Sequence, residues 1–443
     1  MPDRLFRAAA EPADLIIRGA RLVDPNSGID GQLLDVRVRD GVIAELGAPG
    51  LDGGGAEEIA AEGLTMLPGL IDPHVHLRTP GDEDEEDVES GSRAAAAGGF
   101  TAILAMPNTD PVVDSRPVLE SLIGLARESA VVSTGFFAAI SRGQRGGELV
   151  DMADLAACGA AGFSDDGHPV ERAGMLRRAL QYSRITGLRL TLHEEDPSLT
   201  AGGQMHEGAV SAELGLHGWP SIGESVMIGR DVQIARFEGI GLHICHVSAA
   251  ESVAEIRRAR ELGVEITAEV TPHHLCLTDE AVRSLDPDMK MNPPLRAETD
   301  RAALIEALAD GTLDCIATDH APHRGDEKEQ PFQQAPFGVI GLETAFPAVY
   351  THLVEPGLVP LTTVVERMTA GPAAAFGLTC PRLVTGGPAD LALWDLRGEF
   401  EVRPPYQSRS RNSCFAGSTL RGVCMLTLAG GTVAHRAMRA VAP

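Results

Sequence analysis

The chain has 443 residues, 44% of them apolar, with mean hydropathy near zero, and it contains no apolar run of about 18 residues long enough to span a bilayer. Its 37 basic and 63 acidic residues leave a net charge of −26, which disfavours nucleic acid and anionic membranes as partners. A small anionic ligand therefore needs local cations.

The opening stretch MPDRLFRAAAEPADL lacks the apolar segment of a secretory signal, so a cytoplasmic enzyme is the expected class. Seven scattered cysteines (Cys158, Cys245, Cys276, Cys315, Cys380, Cys414, Cys424) form no C-x-x-C pair, which argues against a disulfide framework and a thiolate zinc site. Most of them read as small buried apolar residues.

In chain order, ADLIIRGARLVD and LLDVRVRDGVIAEL alternate with period two, LDGGGAEE (51–58) reads as a turn, and eight apolar runs follow with helix-like segments between them. The runs are 64–77, 100–108, 130–140, 158–166, 188–196, 241–249, 263–274 and 313–323. Six of the eight end in His, Asp, Asn or Arg, which predicts an α/β fold, a (β/α)8 TIM-like barrel with its site at the C-terminal strand ends. ADLALWDL (389–396) and GVCMLTLAGGTVAH (422–435) return to period two. The expected division is residues 1–63 and 385–443 in one small flanking β domain, with residues 64–384 in the barrel.

The run at 64–77 ends in His74-x-His76, and positions i and i+2 of a strand share a face, so both imidazoles converge on one point. Alone this is a weak signal. His193 closes the fifth run, His246 the sixth and Asp319 the eighth, and imidazole with carboxylate is the usual ligand set of catalytic zinc. The coincidence predicts a metal centre. The acidic stretch DEDEEDVE (82–89) reads as a solvated face or a helix start, and His168 as solvated. His273 and His274 read as hydrogen-bonded supports of the seventh strand, and His243 lies at odd spacing from His246, on the opposite face.

His74-x-His76 together with MPNTDP (106–111), FSDDG (163–167), LHEED (192–196), CHVSA (245–249), EVTPHHL (269–275), MNPPLR (291–296), ATDHAPH (317–323) and FGVIGLET (337–344) resembles the dihydroorotases of the amidohydrolase superfamily. The nearest class carries an aspartate where other members have a carboxylated lysine. The resemblance implies His74, His76, Asp166, His193, His246 and Asp319 as metal ligands for one or two zinc ions, with Asp319 also moving protons. It implies His76, Arg78, Asn108, Asn292, His323 and the backbone of Phe337 and Gly338 as the substrate-binding set. Sequence alone leaves open whether Asp165 or Asp166 faces the metal, and family matching favours Asp166.

The implied reaction is the reversible cyclisation of N-carbamoyl-L-aspartate to L-dihydroorotate in pyrimidine biosynthesis, with Asp319 as general acid and base for a metal-activated water. The guanidinium of Arg78 suits the substrate's α-carboxylate, and asparagine amides suit a ureido group. The segment 323–338 is either a surface connection or a substrate-ordered lid. A homodimer is expected, with aspartate transcarbamoylase as a candidate partner. The rival readings are a hydantoinase or allantoinase, and a non-catalytic subunit supporting the transcarbamoylase. Thr79 stands where relatives often have glutamate.

Overall fold

A computed structural model describes residues 3–437. Its strands are β1 (Leu15–Asp24), β2 (Ile29–Arg39), β3 (Val42–Gly47), β4 (Glu57–Ala60), β5 (Thr65–Pro68), β6 (Leu70–Val75), β7 (Phe100–Ala105), β8 (Ser133–Phe136), β9 (Phe163–Ser164), β10 (Leu190–Leu192), β11 (Met205–His206), β12 (Gly218–Trp219), β13 (Leu242–Ile244), β14 (Ile266–Val270), β15 (Cys315–Ile316), β16 (Leu391–Glu401), β17 (Thr419–Ala429) and β18 (Thr432–Arg436). The two chain ends build one sheet in the order β18-β17-β16-β5-β1-β2-β3, with β4 beside β1. Period-two patterning explains it: Leu15, Ile17, Leu22, Val36, Val38, Leu391, Leu393, Leu426 and Leu428 all turn inward to one cluster.

The run at 64–77, expected as one strand, is two. Thr65–Pro68 lies between β1 and β16 in the flanking sheet, and Leu70–Val75 opens the barrel. Gly69 makes the break possible, because a Cβ there would lie 2.2 Å from Thr101 Oγ1. The seven remaining runs each contain a strand of the barrel, and helices such as Arg116–Ser129, Ala173–Thr186 and Ile222–Glu238 lie between them.

The barrel strands pair in parallel as two arcs, β6-β7-β8 and β9-β10-β13-β14-β15. Isolated parallel bridges join the arcs at both seams, Ala138 with Phe163 and Val75 with His320. At the second seam the His76 N–H donates to His320 O at 2.8 Å. The strands end early because three residues at their C-terminal ends leave β geometry: Arg78, His246 and Asp319 have φ of 56°, 33° and 49°. Such left-handed conformations cost roughly 1–3 kcal/mol each and concentrate at functional sites.

The flanking sheet is seated on the barrel by Trp394, fully buried, with its ring 4.3 Å from that of Phe346. A Cβ on Gly99 would lie 2.3 Å from that indole, and Gly99 has φ +80°, so the close approach and the backbone both require glycine. Thr427 Oγ1 adds a hydrogen bond to Ala96 O at 2.7 Å. Truncating Trp394 to alanine removes the plug of this seam, and a loss of about 3–5 kcal/mol is expected in denaturant unfolding.

Candidate metal centre and active site

His74 lies near the end of β6 and the other five predicted ligands just beyond strand ends, and the barrel brings all six to one buried mouth. His74, His76, Asp166, His193, His246 and Asp319 are all buried. Asp166 lies at the middle: its Oδ1 is 3.5 Å from His74 Nε2, 3.6 Å from His193 Nδ1 and 3.5 Å from His246 Nε2, and its Oδ2 is 3.5 Å from His76 Nε2. Asp319 Oδ1 is 3.1 Å from His76 Nε2 and 3.5 Å from His74 Nε2. The neighbouring Asp165 is spent elsewhere, accepting from Ile140 N, Ser141 N and Ser141 Oγ. Adjacent residues face opposite ways, so only Asp166 reaches the histidines.

The donor set fits a metal. Three of the imidazoles donate their outer N–H to oxygen: His74 Nδ1 to Glu269 Oε1 at 2.6 Å, His76 Nδ1 to Asn108 Oδ1 at 2.8 Å, and His193 Nε2 to Glu195 Oε2 at 3.0 Å. The other nitrogen of each points inward at Asp166 or Asp319, where a metal ion would take its lone pair once any proton there is displaced. His74 Nε2 and Asp166 Oδ1 are buried with no hydrogen-bond partner. Bonds of about 2.0–2.2 Å to a tetrahedral ion separate ligand atoms by about 3.4 Å, close to the spacings found here. Cys245 also lies in this cluster, but burial and then Glu269 push its thiol well above its ordinary value, which opposes a thiolate.

Charge is finely divided here. Burial opposes ionisation of Asp166 and Asp319, yet His74 and the other imidazoles outweigh it and hold both carboxyls well below the usual range. Burial likewise opposes charge on His193, but Asp166 and Glu195 raise it to about 10, and His74 is raised by Asp166, Glu269 and Asp319. Glu269, brought to about 2 against its burial by His74 and His243, fastens both rings from below.

Around this centre lie the predicted substrate residues. Arg78 Nε donates to Pro322 O at 3.0 Å, and its Nη2 is 3.4 Å from His323 Nε2. His323 Nε2 donates to Phe337 O at 2.8 Å, and burial with the charge of Arg78 lowers its pKa to about 3, so the ring is neutral. Asn108 bridges His76 and Asp166, while Asn292 Nδ2 donates to Glu195 and leaves its buried Oδ1 without a partner. Gly338 has φ +132°, and a Cβ there would lie 2.8 Å from Ala321 Cβ and 3.0 Å from His323 Nε2. Only glycine fits.

Other residues of the site escaped sequence reasoning. Lys290 Nζ donates to the carbonyls of Phe332, Gln333 and Ala335, and Lys328 Nζ to those of Lys290, Pro336 and Gly338. Two buried ammonium groups thus hold the 323–338 segment down over the mouth. Burial lowers each lysine to about 8. Asn412, from between β16 and β17, donates to Ala321 O and Gly338 O and accepts from His323 N. Nothing local marks these three; Glu269 does carry a signal, as a charge inside the otherwise apolar ITAEV strand.

Two readings of the sequence change. The stretch 82–89 is solvated only in part, because Glu85 and Glu86 are buried, although the helix Val88–Ala97 does start there with Asp87 as its cap. His274 bonds Pro293 O as a support, whereas His273 Nε2 is buried without a partner, because both lie on the short helix Pro272–Cys276 rather than on β14.

The L-hydantoinase (dihydropyrimidinase) from Arthrobacter aurescens superposes with a TM-score of 0.85 at 26% identity, covering 97% of this chain and 98% of that one. A crystal structure of a D-hydantoinase gives 0.83 at 26%, covering 96% of each. Fold and site together define a barrel of the amidohydrolase superfamily. Residues 63–252 match the family described as Dihydro-orotase-like. A dihydroorotase from Geobacillus kaustophilus is 46% identical over 93% of this chain and 97% of its own length, and one from Pelotomaculum thermopropionicum 48% over 95% and 98%. The chain belongs to the dihydroorotase family.

Metal binding must displace protons from this cluster. His193 is raised to about 10 and His74 is raised, against its burial, by Asp166, Glu269 and Asp319, whereas coordination needs their lone pairs. Titrating metal-free protein with zinc at pH 8 is therefore expected to release protons, and affinity should fall as pH drops from 8 to 6, as read by calorimetry in buffers of different ionisation enthalpy.

Proposed function

We propose that the chain is a zinc-dependent dihydroorotase that interconverts N-carbamoyl-L-aspartate and L-dihydroorotate. The observation that supports this best is one mouth holding both the six-donor cluster and the half-buried guanidinium of Arg78, on which Asp319 and Asp166 act as nearby charges. His74, His76 and Asp319, with Asp166, would hold one ion, and His193 and His246 face Asp166 from the other side, where a second would fit. A bound zinc supplies Lewis acidity, polarising the ring carbonyl and acidifying water.

The protein's own residues do the rest. In ring opening, Asp319, held as a carboxylate, accepts a proton from the water that adds to the carbonyl carbon. It then delivers that proton to the ring nitrogen as the C–N bond breaks. Arg78 grips the α-carboxylate, and neutral His323, oriented by Phe337 O, keeps the cavity wall uncharged beside it. Asn108 orders His76 and Asp166 relative to each other.

In the reverse direction the ureido nitrogen attacks the side-chain carboxylate, its proton passes to Asp319, and water leaves. Closing the ring turns a carboxylate and an N–H into a neutral imide plus water, which consumes one proton. Acid therefore favours cyclisation and base favours hydrolysis.

Ultraviolet absorbance during incubation with dihydroorotate tests the proposal. Zinc-dependent ring opening is expected, lost on chelation and restored by zinc, and Asp319→Ala should lower kcat by at least about 10²–10⁴-fold. A folded, zinc-loaded protein that ignores dihydroorotate but opens hydantoin would move the assignment to the sister hydrolases.

A further inference from the structure

Within DEDEEDVE, Asp82, Glu83 and Asp84 face solvent, whereas Glu85 is 5% exposed and turns toward the substrate half of the site. Its Oε2 lies 3.2 Å from Arg78 Nε and its Oε1 3.5 Å from His323 Nδ1. The backbone fixes the carboxylate in place: Glu85 N–H donates to Asp82 O at 2.9 Å, and Glu85 O accepts from Ser410 Oγ at 2.8 Å. Arg78 Nε is thereby shared between Glu85 and Pro322 O, and among the described residues its Nη1 has no acceptor. One edge of the guanidinium is tied down. The other is left for an anion.

His323 is tied to the same group. Its Nε2–H is committed to Phe337 O, so Nδ1 presents a lone pair to Glu85 and, at 3.6 Å, to Glu327 Oε2. The nearby Glu85 raises the pKa of Glu327, since two carboxylates beside one imidazole repel. These three side chains also have the spacing of a cation site. The permanent charge of Arg78 against Glu85 and His323 opposes an ion there. The adjacent Thr79 offers no substitute, since its Oγ1 is buried without a partner.

We propose that Glu85 is the positioning residue that aims Arg78 at the carboxylate carried by the substrate ring, and so sets affinity for that ring. The proposal rests on the dihydroorotase reading. A guanidinium at the end of a flexible arm binds a carboxylate well only when its fork is held in plane with it, and the Glu85 contact at Nε removes that freedom while leaving the terminal nitrogens facing the site. Glu85 does not touch the reacting atoms, so its loss should act on binding rather than on the chemical step.

The test is steady-state hydrolysis of L-dihydroorotate by the zinc-loaded enzyme, with calorimetric binding of orotate, a ring bearing the same carboxylate, as the readout independent of turnover. In Glu85→Ala, KM and the orotate dissociation constant are expected to rise by about tenfold or more while kcat stays within about threefold of wild type. Glu85→Gln, which keeps the chain length and an amide oxygen beside Arg78 Nε, should recover most of the loss. Should the alanine variant fail to fold, Glu85→Asp, with its carboxylate withdrawn by one methylene, is expected to show the same rise. Unchanged KM and orotate affinity in the alanine or aspartate variant, or a glutamine variant no better than alanine, would overturn the proposal. A wild-type protein that holds zinc and yet neither binds orotate nor opens dihydroorotate would instead overturn the reading on which it rests.

Discussion

Burying Asp166 and Asp319 would be costly if either stood alone, since a carboxylate stripped of water and unpaired pays several kcal/mol. They are tolerated because four imidazoles converge on them from three strands, β6, β10 and β13. That convergence is what the barrel has to deliver. The left-handed backbone at His246 and Asp319, the bridge that closes the barrel beside His76, and the full burial of Glu269 under two rings all serve the same small volume. A cluster with this many inward nitrogen and oxygen donors fits a divalent cation among them.

The substrate side depends on a second set of long-range ties. Arg78 follows β6, His323 lies beyond β15, Phe337 and Gly338 close the segment after it, and Asn412 comes from the loop between β16 and β17. Lys290 and Lys328 hold that segment through carbonyl groups alone, with no carboxylate in salt-bridge range among the described residues. An ammonium buried against backbone carbonyls is a strong positional restraint, because no flexible acidic partner can move with it. The flanking sheet therefore does more than cap the barrel. Through Ser408, Ser410 and Asn412 it reaches Glu86, Glu85 and His323.

The legibility of the sequence follows the range of the physics. His74-x-His76 could be read because two-residue periodicity puts both rings on one face, and the strand-end positions of His193, His246 and Asp319 because a parallel barrel has one functional end. The choice between Asp165 and Asp166 could not be made from periodicity, since it turns on which of them meets Ile140 and Ser141 beyond the neighbouring β8. Glu85 and Glu86 were hidden inside a charge run. A local window counts charges and cannot see Arg78, His320 and Ser408 approaching from elsewhere.

Hydrophobic period and residue type thus determined the eight barrel strands, the flanking sheet from the chain ends and the placing of His74, His76, His193, His246 and Asp319 at strand ends, because burial patterns and strand ends are properties of neighbours along the chain. Only the tertiary structure decided that 64–77 divides at Gly69, that Glu269 and Glu195 orient the histidines, and that Glu85, Lys290, Lys328 and Asn412 shape the substrate side. Each of these rests on a hydrogen bond or a close approach between residues far apart in sequence. Their geometry exists only once the chain has closed on itself.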